Sequence, residues 1–311
     1  MNKIKIILPK KIHKGAKLGF FSPSDPIYPR RVEFIKKAVL ILSYWGFKTE
    51  SITDKMFEEW SVLRSPSARA NEFHKKLKDS EFDCLMATWG GKNSSDLLKL
   101  LDYQLIQKLK KPIIGSSDIG VLLNAITHKT GLVTFYGPNV LGKINQTEEI
   151  GLPVLVRDRE YQPNLFPTDS LNKVKVVRGG ICEGRLIGGS LGTFTLGLSG
   201  TEFIPQFNKT IFFFETASLD YYRIRQHLQN LNNTKFLKKI TGVIVGVTNQ
   251  IKEDSIELFE KMLLEFFPKS VPLITTELFG HGFYYNPTFP IGRKIKIDTS
   301  KVTYRIEPEI E

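Results

Sequence analysis

The stretch FDCLMATWGGKNSSDLLKLLDYQLIQKLKKPIIGSSDIGVLLNAITHK, residues 82–129, decides the fold. It opens on an apolar run, Phe82–Thr88, too short for a helix and closed by Gly90 and Gly91, which reads as a buried strand. Ser94–Lys110 has helical spacing, Pro112–Gly115 is a second short apolar run, and Ile119–Lys129 is helical again. Strands alternating with helices in this way predict a parallel sheet covered by helices.

Upstream, AKLGFFSPS (16–24) is an apolar run opening into a Ser-Pro-Ser loop, so it predicts another buried strand. Arg30–Trp45 predicts a helix with Val32, Ile35, Val39 and Leu42 near one face and Gly46 as its stop. Ser65–Lys78 predicts a second. Downstream, the alternation weakens between Thr147 and Lys175, where Pro153, Pro163 and Pro167 fall. A glycine-rich passage, GRLIGGSLGTFTLGLSG (184–200), comes next. After it, strand, helix, strand, helix and strand are expected over Thr210–Phe214, Tyr221–Leu231, Thr241–Val247, Ser255–Phe266 and Pro272–Thr275. The expected fold is α/β, with an N-terminal parallel-sheet α/β domain over 1–146, a linker or loop region over 147–178, and a smaller α/β C-terminal domain over 179–311.

Composition narrows the function classes. With 41% hydrophobic and 24% charged residues in 311, the chain can bury a core, and large-scale disorder is excluded. No apolar window reaches the roughly 18 residues of a membrane span, and the basic N-terminus lacks a signal-peptide core, so a cytoplasmic chain with no membrane partner is expected. Lysine and arginine exceed aspartate and glutamate by 44 to 32. That excess favours anionic partners. No RNP, zinc-finger or basic-zipper pattern accompanies it, so nucleic acid is not the expected partner and a solvated basic surface is the favoured reading. Cys84 and Cys182 stand alone, outside any CxxC or Cys/His cluster, and no HExxH or acidic cluster offers a metal site; neither metal nor cofactor is expected.

Four positions carry candidate chemistry. In Gly115-Ser116-Ser117-Asp118 a strand meets a helix, a turn that lifts a side chain out and aims the next amides at whatever it attacks. Ser117 is placed to be a nucleophile; its plainer reading is a helix cap. Gly90 and Gly91 sit at the carboxyl end of a strand, where open α/β sheets bind ligands, and Gly91 can offer its N–H to an oxyanion. The plainer reading is a tight turn capped by Asn93 or Ser94. His281, between Gly280 and Gly282, suits a general base. Glu215 ends an aromatic strand, which suits the partner that orients an imidazole, although a solvated strand-end acid fits the sequence equally well.

Together, LGFFSPSDP (18–26), TWGGKNSSDLLKLLDY (88–103), KPIIGSSDIGVLLNAI (111–126), FYGPNV (135–140), GRLIGGSLGTF (184–194), FFFETAS (212–218) and PIGRKIKID (290–298) resemble the LD-carboxypeptidase family of serine peptidases. The resemblance is nearest to the branch that gives immunity to microcin C. It implies a Ser117, Glu215, His281 triad, an oxyanion hole from the amides of Gly91 and Asp118, a site at the junction of two domains, and a homodimer. The implied activity is metal-free hydrolysis of a C-terminal amide in an anionic peptide or aminoacyl-nucleotide, as in immunity to peptide–nucleotide antibiotics. The alternative within the family is muramoyl-tetrapeptide LD-carboxypeptidase activity in wall recycling. An alternative from another class is a noncatalytic nucleotide- or peptide-binding protein. The immunity branch is expected to stack a nucleotide base on a loop tryptophan, which the 147–175 region lacks. Asn93, Tyr284 and Tyr285 are the candidate substrate contacts; the tyrosines could stack on a base in place of that tryptophan, and their plainer reading is packing of the domain junction.

Overall fold

The computed structural model describes residues 4–142, 165–166, 168–252, 255–281 and 287–307. The chain builds two sheets. The first is assembled from β1 (Lys17–Phe21), β2 (Lys48–Thr49), β3 (Cys84–Ala87), β4 (Ile113–Gly115) and β5 (Thr134–Tyr136), all parallel, in the order β5-β4-β3-β1-β2. Every residue of β3 and β4 is buried, as a parallel sheet covered on both faces requires. Its helices are α1 (Val32–Tyr44), α2 (Asp54–Trp60), α3 (Pro66–Lys78), α4 (Tyr103–Leu109) and α5 (Ile119–Thr130).

The second sheet contains β6 (Val174–Arg178), β7 (Ile181–Ser190), β8 (Thr210–Glu215), β9 (Ile240–Val245) and β10 (Leu273–Thr276), with β7 to β10 parallel to one another and β6 antiparallel on β10. Between these strands lie α6 (Leu191–Leu198), α7 (Tyr221–Asn233) and α8 (Ile256–Phe266). β11 (Phe289–Ile291) pairs antiparallel with β5 of the first sheet, and β12 (Lys294–Asp298) and β13 (Thr303–Ile306) return to edge the second. The expected mixed α/β architecture with a parallel N-terminal sheet is present.

Two sequence expectations differ from the structure, and one unassigned passage gains elements. Ser94–Lys110 is not one helix: a 3₁₀ turn over Ser94–Leu97 ends, and Asp102 starts α4 by accepting the Leu105 N–H on its carboxylate at 2.9 Å. An aspartate that satisfies a helix's first amides begins a helix rather than continuing one. The glycine-rich passage holds all of β7 but its first three residues, and all of α6; Gly188 and Gly189 lie inside the strand. Finally, the expected loop region ends in a strand, β6, preceded by Leu165 and Phe166 buried in the core. Residues 143–164 and 167 of that region fall outside the described residues.

One aromatic cluster holds the sheets together. Phe289, on β11 of the first sheet, stacks on Phe213 of the second with centroids 4.6 Å apart and meets Phe279 edge-on at 4.8 Å. Phe166 packs against Phe289 and Tyr304. α5 lies between the sheets and is buried almost throughout; its Asn124 donates to the carbonyls of Gly120 and Gly188 and accepts the Gly188 N–H. Among the described residues no helix is long and apolar enough to cross a membrane. Phe289→Ala removes the ring shared by both sheets and is expected to cost about 3–5 kcal/mol of unfolding free energy, read as a lower urea midpoint; an unchanged midpoint would remove this cluster from the account of the junction.

Candidate active site

Ser117 occupies the turn between β4 and α5 with φ +59°, a left-handed conformation that costs a serine on the order of 1–3 kcal/mol. Contacts from the end of β5 and the residues just after it hold it there. The Ser117 N–H donates to the Tyr136 hydroxyl at 3.1 Å, and the Asn139 side chain accepts the Ser116 N–H at 2.9 Å while donating to the Ser116 carbonyl at 3.3 Å. The turn thus exposes the Ser117 hydroxyl, while Asp118 behind it is buried.

The hydroxyl meets an imidazole from the other sheet. Ser117 Oγ lies 3.0 Å from His281 Nε2, and His281 Nδ1 lies 2.9 Å from Glu215 Oε2. With the neutral ring protonated on Nδ1, the serine O–H donates to Nε2 and the ring N–H to the carboxylate. Glu215, at the carboxyl end of β8, is fully buried rather than solvated, and its Oε2 also accepts the Ala217 N–H at 2.8 Å. Asn249 donates to the His281 carbonyl at 2.8 Å and fixes the backbone that carries the ring. Hydrogen bonding to the Glu215 carboxylate raises the His281 pKa above its ordinary value, against partial burial that lowers it.

Two backbone donors flank the serine. The N–H groups of Gly91 and Asp118 have no acceptor among the described residues. Gly90 lies so close that a Cβ there would stand 3.0 Å from Ser117 Cβ and 3.6 Å from the Asp118 nitrogen, so any side chain at this position would press on the serine. Gly91 has φ +143°, and a Cβ would fall 2.2 Å from Asp25 Cγ. The amide of Asp118 also stands at the N-terminal end of α5, where the helix dipole favours negative charge. A serine on a histidine, a histidine on a buried carboxylate and two open amides can together perform nucleophilic acyl transfer.

Side chains outside the expected set, most of them buried, hold these loops in place. Asp118 accepts the Ser24 hydroxyl at 2.5 Å and the Ser94 N–H at 2.8 Å; burial pushes its carboxyl upward in spite of these bonds. Asp25 Oδ1 accepts the Lys92 N–H and the Asn93 side-chain amide at 2.9 and 2.6 Å. The donor end of Asn93, expected to touch substrate, is therefore committed to the loop. Arg69, buried in α3, donates to the carbonyls of Pro23 and Asn93 and to Asp96. Tyr284 and Tyr285 lie outside the described residues. Burial pushes the Cys84 and Cys182 thiols up to about 12, which suits inert core residues. His74, His128 and His227 are partly buried, and burial lowers the pKa of each.

The model of the LD-carboxypeptidase N-terminal domain matches residues 18–137, and that of the LD-carboxypeptidase C-terminal domain matches residues 183–297. The chain belongs to the LD-carboxypeptidase family. The microcin C7 self-immunity protein MccF of Escherichia coli is 31% identical over 75% of each chain. The probable murein peptide carboxypeptidase of Bacillus subtilis is 26% identical over 96% of this chain and 94% of its own. Among solved structures, an MccF-like protein from Bacillus anthracis superposes with a TM-score of 0.83 at 28% identity, covering 97% of this chain and all of its own. MccF in complex with glutamyl sulfamoyl guanosine also gives 0.83, at 25% identity over 97% and 98% of the two chains. This LD-carboxypeptidase relative is accordingly a hydrolase of the serine carboxypeptidase class.

Were His281 the general base, its raised pKa would set the acidic limb of activity, because the ring accepts a proton only when neutral. The kcat/KM profile is expected to fall as pH drops through a value above the ordinary imidazole pKa of about 6.5. An acidic limb below that value, or none, would contradict the Glu215 contact.

Proposed function

We propose that the protein cleaves a C-terminal amide bond through Ser117, His281 and Glu215, without a metal. The observation that carries this reading is the hydrogen-bonded run from Ser117 Oγ through the imidazole to the buried carboxylate, 3.0 and 2.9 Å, beside two open amides.

Ser117 Oγ attacks the amide carbonyl carbon while its proton passes to His281 Nε2. The resulting oxyanion is received by the N–H groups of Gly91 and Asp118, and Glu215 stabilises the imidazolium. Collapse of the tetrahedral species breaks the C–N bond, His281 returns the proton to the leaving nitrogen, and an ester on Ser117 remains. Water then attacks that ester, with His281 as base, and releases the acid and the free serine.

The substrate class favoured is an aminoacyl- or peptidyl-nucleotide. Its support is the similarity to MccF, the aminoacyl-nucleoside analogue in the matching MccF structure, and the net charge of +12, which suits an anionic ligand. The murein peptide carboxypeptidases among the relatives support the second reading, removal of a terminal residue from a wall peptide. Tyr284 and Tyr285 remain the proposed stacking faces for a base.

Incubation with glutamyl sulfamoyl adenosine and, separately, with murein tetrapeptide, followed by mass spectrometry, tests this function. Release of glutamate from the first is expected, with a rate loss on the order of a million-fold in Ser117→Ala. Turnover of the tetrapeptide alone would move the assignment to wall peptides, and undiminished turnover by Ser117→Ala would overturn the mechanism.

A further inference from the structure

Tyr136 is a residue the proposed chemistry does not use, yet it touches both halves of the site. It ends β5 in the first sheet, is 6% exposed, and packs edge-on against Phe213 of β8 with centroids 5.4 Å apart. Phe213 and Glu215 are two residues apart on one strand and so share a face. The end of the tyrosine ring fills the space a side chain at Gly189 would need, since a Cβ there would lie 2.8 Å from the ring. The next residue, Ser190, is the register partner of Glu215 across β7 and β8.

The hydrogen-bond ledger around the phenol is incomplete. Its oxygen accepts the Ser117 N–H at 3.1 Å, and the Ser190 N–H faces it as well. Those donors occupy its lone pairs and leave the O–H to find an acceptor. Among the described residues the phenol proton has none. On the other side, Glu215 Oε1 is fully buried with no partner, an expensive state for a carboxylate oxygen. No hydrogen bond joins the two in the structure; what brings them near each other is the Ser190–Glu215 register, with Ser190 beside the phenol, and the charge of Glu215, which acts on the phenol.

We infer that Tyr136 is a positioning residue that couples the serine to the carboxylate across the junction, its oxygen holding the Ser117 N–H while its O–H closes on Glu215 Oε1. The first contact braces the left-handed turn at Ser117. The second orients the carboxylate with Oε2 toward His281 and draws off part of its negative charge. Burial, and then the charge of Glu215, push the phenol well above its ordinary pKa, so it stays a donor throughout the working range. This inference rests on the proposed role of Ser117, His281 and Glu215.

The test is Tyr136→Phe, which keeps the ring and its packing on Phe213 and deletes one hydroxyl. Its first readout is the NMR titration of the His281 imidazole, which needs no substrate. The ring is faced by Glu215 from β8, Ser117 from the β4–α5 turn and, at its backbone, Asn249 from the segment after β9. Of these only Glu215 is charged, and without the phenol its full charge falls on the ring. The His281 pKa is therefore expected to rise in Tyr136→Phe, moving the acidic limb of kcat/KM to higher pH. A fall in kcat of roughly ten- to a hundredfold at unchanged KM should accompany it. A ring-fluorinated tyrosine at position 136, a stronger donor, should move the titration the opposite way, and it serves if the phenylalanine variant does not fold. An unmoved titration or an unchanged kcat overturns the inference. Ser117→Ala, assayed in parallel, separates this from failure of the proposed mechanism: if it retains activity, the serine assignment itself falls.

Discussion

The contact on which the rest of the structure depends is the 3.0 Å approach of Ser117 Oγ to His281 Nε2, because its two atoms belong to different sheets. A hydroxyl at the end of β4 and an imidazole beyond β10 stay within hydrogen-bond reach only if the junction between the sheets is rigid to a few tenths of an ångström. That requirement accounts for where the large apolar side chains are concentrated. β11 crosses from the second half of the chain to pair with β5, and its Phe289 stacks on Phe213, so one short strand is hydrogen-bonded to the first sheet and packed on the second. Asn124 adds a polar lash, spending its whole side-chain amide on the backbones of Gly120 and Gly188.

The same constraint explains the buried charges around the glycine loop. A loop that must present the Gly91 N–H in a fixed direction cannot rely on apolar packing, since its backbone groups need partners. Arg69 supplies donors to the carbonyls of two loops at once, and Asp25 and Asp118 supply acceptors. Arg69 and Asp118 are buried, and each carries a desolvation cost that only a nearly complete set of hydrogen bonds offsets. Glu215 departs from that pattern at one oxygen, and the departure directs attention to Tyr136.

Much of the local structure was legible from sequence because it is written in short-range patterns. Apolar runs closed by glycine marked β3 and β4, and the turn at Gly115-Ser116-Ser117-Asp118 marked the serine without reference to any distant residue. Glu215 and His281 were legible as a strand-end acid and a glycine-flanked histidine; their meeting was not, since it depends on how two sheets dock. Asp25, Arg69 and Tyr136 escaped for the same reason. Arg69 looks like any arginine on a lysine-rich helix until Pro23 and Asn93 close over it, and Tyr136 looks like a strand aromatic until its hydroxyl meets the Ser117 amide. The break in Ser94–Lys110 was missed for a different reason: helical periodicity in DLLKLL masked the capping role of Asp102.

The central claim is that Ser117 and His281 act as one unit. Single-turnover rates for Ser117→Ala, His281→Ala and the double variant test it most directly, because residues that act together are not additive when removed. The double variant is expected to be no slower than Ser117→Ala alone. Losses that multiply in the double variant, or a His281→Ala enzyme close to wild type, would contradict it.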